Sequence, residues 1–93
     1  MSSLLYRIKV FPKGAETSSS ALSDSIGHQI SEKGKIIKIT EEPIAFGITA
    51  LILDILAEEK SGVTDELEEL IKASDLVGGI KPIGVSRAST TLK

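Results

Sequence analysis

The chain contains no cysteine, which excludes a disulfide framework, a thiolate metal site and a cysteine nucleophile. Aromatic residues are nearly absent too. Tyr6, Phe11 and Phe46 complete the set, so any core must be built from Ile, Leu, Val and Ala, and each ring is conspicuous. The one histidine, His28, stands beside Gln29 with no partners for a nucleophilic triad and reads as a solvated or half-packed helix residue. No apolar stretch approaches the ~20 residues of a membrane span. Met1-Ser2-Ser3 leads directly into a strand-like run, without the charged and apolar regions of a signal peptide. A cytoplasmic protein with no membrane contact is therefore expected. The net charge of −2 is spread along the chain without a basic block, so the electrostatic footprint of a nucleic-acid binder is missing.

What is present describes an ordinary folded domain. With 93 residues, 41% of them hydrophobic and 26% charged, the chain has enough apolar surface for one core, and residues 1–93 are read as one domain. Leu4, Tyr6, Ile8 and Val10 alternate with Arg7 and Lys9, the period-two pattern of a half-buried strand that Pro12, Lys13 and Gly14 end. From about Ser18 to Lys33, Leu22, Ile26 and Ile30 recur every fourth position. They form a narrow helical stripe with a serine run for its N-cap and Gly34 as its stop.

Residues 36 to about 45 are rich in β-branched side chains and read as a second strand, and the apolar run 46–56 reads as a third. Thr64-Asp65-Glu66 supplies a capping hydroxyl and two acids for a second helix, with Val63, Leu67, Leu70 and Ile71 buried and Glu66, Glu68, Glu69 and Lys72 facing solvent. Residues 77 to about 86 form a fourth strand, followed by a loose polar tail over about 87–93. The order βαββαβ predicts an α+β, ferredoxin-like split-βαβ fold, a four-stranded antiparallel sheet with two helices on one face. Pro43 and Pro82 fall in the second and fourth strands. These are the sheet edges of that fold, where a residue without an N–H is tolerated.

Catalytic machinery is not evident. The acidic pairs Glu41-Glu42 and Glu58-Glu59 and the acids of the second helix read as solvated charge, not as metal ligands or acid-base groups. Gly78-Gly79 belongs to no phosphate-cradling pattern, so the chain itself is expected to bind no nucleotide. Leu51, Ile52 and Leu53 stand where an RNA-recognition sheet would carry stacking aromatics. Ile52, Ile80 and Ile83 are candidates for an apolar patch on the open sheet face, although core packing is the simpler reading for them. No catalytic residue, metal or cofactor is assigned.

The segment that stands out is Pro43-Ile44-Ala45-Phe46-Gly47, a stiff, bent crossing between two strands. Taken alone, its phenylalanine reads as core more readily than as an outward anchor. The five residues match a Pro-Ile-(Ala or Gly)-Phe-Gly motif, and with Glu41-Glu42 before it, Ala50-Leu51 after it and Gly62-Val63-Thr64-Asp65 further on, the whole chain closely resembles the archaeal elongation factor one-beta family. It departs from that pattern where Val63 replaces a usual second glycine and Gly84 a frequent aspartate.

The resemblance implies a guanine-nucleotide exchange factor whose partner is the translational GTPase elongation factor one-alpha. It reverses the reading of Phe46, which would insert into a pocket of that GTPase, flanked by Pro43, Ile44 and Gly47. It also brings the C-terminal end of the fourth strand, with Arg87 and Lys93, toward the magnesium and phosphate site. Arg87 matches an arginine common in archaeal members, whereas Lys93 is offset from the lysine that eukaryotic members carry near their end. The alternative is a ferredoxin-like module for RNA or a small molecule.

Overall fold

The computed structural model describes residues 2–88, and the expected site residue Lys93 lies outside them, as does most of the expected tail. Six elements follow in the expected order: β1 (Ser3–Pro12), α1 (Ser19–Gln29), β2 (Gly34–Ala45), β3 (Ile48–Glu58), α2 (Val63–Lys72) and β4 (Val77–Ala88). One antiparallel sheet runs in the order β2-β3-β1-β4. This is the ferredoxin-like arrangement, and Pro43 and Pro82 lie on its two edge strands, where a missing N–H breaks no central ladder.

The core forms because β1 and β3, the central strands, each turn alternate residues toward the helices. Leu4, Tyr6, Ile8 and Val10 meet Leu51, Leu53, Ile55 and Ala57 across the ladder, and Leu22, Ile26, Ile30, Val63, Leu67 and Ile71 close over them. The every-fourth-position stripe of α1 is buried as its spacing requires.

Several boundaries differ from expectation. Helix α1 ends at Gln29, and the next residues turn, with the Lys33 and Gly34 amides both donating to the Ile30 carbonyl. Gly34 therefore opens β2 and does not stop the helix. Its N-terminus behaves as the serine run suggests, since the Ser18 Oγ accepts from the Ala21 amide at 3.1 Å. The Thr64 hydroxyl does not cap α2: Gly62, in the left-handed region at φ 80°, is the N-cap and Val63 already lies in the first turn.

Glu68 was expected in solvent but sits half-buried, accepting a hydrogen bond from the Tyr6 hydroxyl. The third strand begins at Ile48, because Phe46 and Gly47 are taken up by the turn. Strand β4 runs to Ala88, two residues beyond its expected end, so Arg87 is a strand residue paired with Leu4 and not part of a tail.

Candidate functional site

The β2–β3 hairpin sets the geometry of the first site. Ala45 pairs with Ile48, which leaves a two-residue loop of Phe46 and Gly47. Both have positive φ, 57° and 78°, the signature of the type I′ turn whose twist matches that of the strands it joins. Asn-Gly is the favoured pair for this turn, since asparagine tolerates the left-handed region and bulky side chains do not.

Gly47 meets that requirement. A Cβ there would reach no nearer than 3.7 Å to the Ala15 Cβ, so backbone conformation and not crowding makes glycine apt. Phe46 does not meet it, and its ring is 95% exposed. The core reading of Phe46 is thereby overturned. The turn type decides the matter: a residue at the apex of a two-residue loop has no neighbour on either strand to bury it. Ile44 is also exposed, so the tip carries an aliphatic residue beside the aromatic one, on a strand stiffened by Pro43.

Arg87 occupies the opposite end of the sheet. Strand β3 starts at the hairpin tip and runs toward Glu58, which pairs with Ser3 beside Arg87. Eleven residues at about 3.3 Å each separate the two ends by roughly 35 Å, within the molecule's 42 Å long dimension. The structure thus gathers Pro43, Ile44, Phe46 and Gly47 at one tip and puts Arg87 far from them. There the Arg87 Nη2 donates to the Glu59 Oε2 at 2.7 Å.

Two ion pairs lie on the helix-free face. Arg7 and Asp54 face each other on the central strands, with Nε to Oδ1 at 2.7 Å and Nη2 to Oδ2 at 3.1 Å. The hydrogen bond from Arg7 holds the Asp54 carboxyl below the usual range, against the upward pull of burial, and Lys38 adds its field. Lys9 forms an ion pair with Glu42 at 2.7 Å and stands 5.6 Å from the Phe11 ring centroid. Of the three isoleucines considered for this face, Ile80 packs against the core. Ile52, opposite Lys9, is half-buried, and Ile83 is exposed where the β1–β4 register slips. They form no common patch.

Sequence reasoning missed Asp54, which hides inside an apolar run, and it missed Glu59 and Glu68, which it placed in solvent. An ionisable residue in the middle of a strand pattern was the one signal available for Asp54. Among the described residues, no group of three or more His, Asp and Glu side chains is placed to hold a metal ion.

Fold and tip together define a class: a split-βαβ domain that exposes an aromatic ring at one end of its sheet and a cation at the other. The comparisons with known proteins are specific. The EF-1 guanine nucleotide exchange domain matches residues 5–87, and the chain belongs to that family. Proteins called elongation factor 1-beta are similar along nearly their whole length. That of Metallosphaera sedula is 34% identical over 88 residues, covering 94% of this chain and 97% of its own. That of Saccharolobus solfataricus is 36% identical over the same shares. Among solved structures, the C-terminal domain of MgtC from Mycobacterium tuberculosis superposes with a TM-score of 0.56 over 97% of this chain and 90% of its own. At 14% identity, that likeness is one of fold.

Proposed function

We propose that this domain is a cytoplasmic exchange factor that docks on the GTPase elongation factor 1-alpha through Phe46 and promotes GDP release and GTP loading during protein synthesis. The observation that carries the reading is the state of Phe46: a bulky ring held out in water on a left-handed backbone. Each of these features costs stability, and their coincidence in the family's hairpin motif points to selection for contact. Pro43, Ile44 and Gly47 hold and flank the ring. The far end of the sheet, with Arg87, approaches the nucleotide site.

Exchange requires no bond chemistry from this chain. A partner that binds the nucleotide-free GTPase more tightly than the loaded one must, by linkage, weaken nucleotide binding by the same factor. A rigid sheet suits that task, because an anchor at one end fixes where the other end presses on the magnesium and phosphate site. The RNA-binding alternative has less support, since two of the open face's cations, Arg7 and Lys9, already pair with Asp54 and Glu42.

Stopped-flow release of a fluorescent GDP analogue from the GTPase tests the reading. Phe46→Ala should lose about ten- to a hundredfold in affinity, the equivalent of roughly 1.5–3 kcal/mol of aromatic burial. Release as fast as with the unaltered chain would refute the anchor.

A further inference from the structure

We propose that Glu59 is a positioning residue for exchange: its carboxylate holds the Arg87 guanidinium in a fixed orientation at the end of the sheet before the partner arrives. The inference rests on the reading of Arg87 as the cation at the nucleotide end. Arg87 lies near the end of strand β4 and Glu59 follows strand β3, and these strands are not neighbours, since β1 lies between them. The 2.7 Å bond from Nη2 to Oε2 therefore reaches across the start of β1.

Glu59 is itself held. Its amide donates to the Ser2 carbonyl at 2.9 Å, and its second carboxylate oxygen, Oε1, is sunk below the surface with no hydrogen-bond partner in the described structure. Glu59 is the less exposed partner: its side chain is 32% exposed against 73% for Arg87. A carboxylate tucked against the end of the sheet can orient a guanidinium that stands mostly in solvent.

The pair stands on the rim of a cleft of about 650 Å³ between the N-terminal ends of β1 and α2, bordered by Leu4, Ser61 and Thr64. A free arginine samples many rotamers, and ordering such a side chain at an interface has a cost that preorganisation removes. One donor of the guanidinium is engaged with Glu59. Four more remain to meet the phosphate or carboxylate oxygens of an acidic partner surface. An autoinhibitory contact would demand the opposite sign, because there Glu59 would have to be released before Arg87 could act.

The test is a double-mutant cycle on the full chain, reading the second-order rate constant of GDP release from the GTPase with thermal unfolding as the fold control. Glu59→Ala should slow exchange about three- to tenfold with an unfolding midpoint near that of the parent. It should have no further effect in the Arg87→Ala background, and Glu59→Gln, which keeps an acceptor oxygen, should recover part of the loss. Parent-like or faster exchange by Glu59→Ala, or an equal loss in both backgrounds, overturns the inference. If Arg87→Ala exchanges normally, the role of Arg87 falls and this inference with it, while Phe46→Ala in the same assay shows whether the exchange-factor reading itself survives.

Discussion

Arg7 and Asp54 form a two-pronged ion pair across the central strands, on the sheet face that no helix covers. Asp54 is only 6% exposed although it lies on that face, because the guanidinium lies against it. Its folded-state pKa is held below the ordinary value of 3.8, chiefly by the hydrogen bond from Arg7. For such a group the contribution to stability is fully present above the unfolded pKa and is lost as pH falls through the folded one. The unfolding midpoint should therefore drop as the solution is acidified from pH 4 downward, and Asp54→Asn should remove that component of the acid limb. Titration of the midpoint in both proteins checks this, and parallel curves would count against it.

Phe46 and Gly47 make opposite predictions for stability. Phe46→Asn installs the residue favoured for a type I′ turn, so the free domain should gain about 1 kcal/mol while exchange collapses as it does for Phe46→Ala. Gly47→Ala should cost about 1–2 kcal/mol, the price of a Cβ in the left-handed region, since the space itself is open. Chemical denaturation of both variants reads the two signs.

Tyr6 and Glu68 link β1 to α2, and the two partners are unequal. The tyrosine is 1% exposed, whereas Glu68 reaches partly into solvent. Burial and the Glu68 carboxylate both push the phenol pKa upward, so the hydroxyl remains a donor across the usable pH range. Tyr6→Phe frees a carboxylate that water can solvate and should cost about 0.5–1.5 kcal/mol; Glu68→Ala leaves a buried hydroxyl without a partner and should cost about 1–3 kcal/mol. Denaturant unfolding that ranks Tyr6→Phe as the worse of the two would contradict this asymmetry.

Nucleotide should bind only to the partner. Calorimetric titration of the isolated domain with GDP and magnesium should be flat, because no phosphate loop is encoded in the chain. Saturable binding would remove the basis for treating this chain as a pure docking factor.

The features legible in the residue order are those set by near neighbours. The two-residue alternation of Leu4 to Val10, the four-residue stripe of Leu22, Ile26 and Ile30, the Ser18 cap and the strand-edge prolines rest on local backbone preferences, and together they specify the fold. The motif at 43–47 also marked the tip in advance, through likeness to a family.

What could not be read locally is which side chains meet. Arg7 and Asp54 are 47 positions apart, Tyr6 and Glu68 are 62, and Arg87 and Glu59 are 28, so nothing in either segment announces its partner. The exposure of Phe46 is the sharpest case. An apolar residue between two apolar strands is core if the strand continues through it and solvent-facing if the chain reverses there. Those outcomes differ only in where the β2–β3 register closes. Pairing of Ala45 with Ile48 placed the reversal at Phe46, and cooperative hydrogen bonding along the whole ladder, not the preference of any single residue, held the ring out in water.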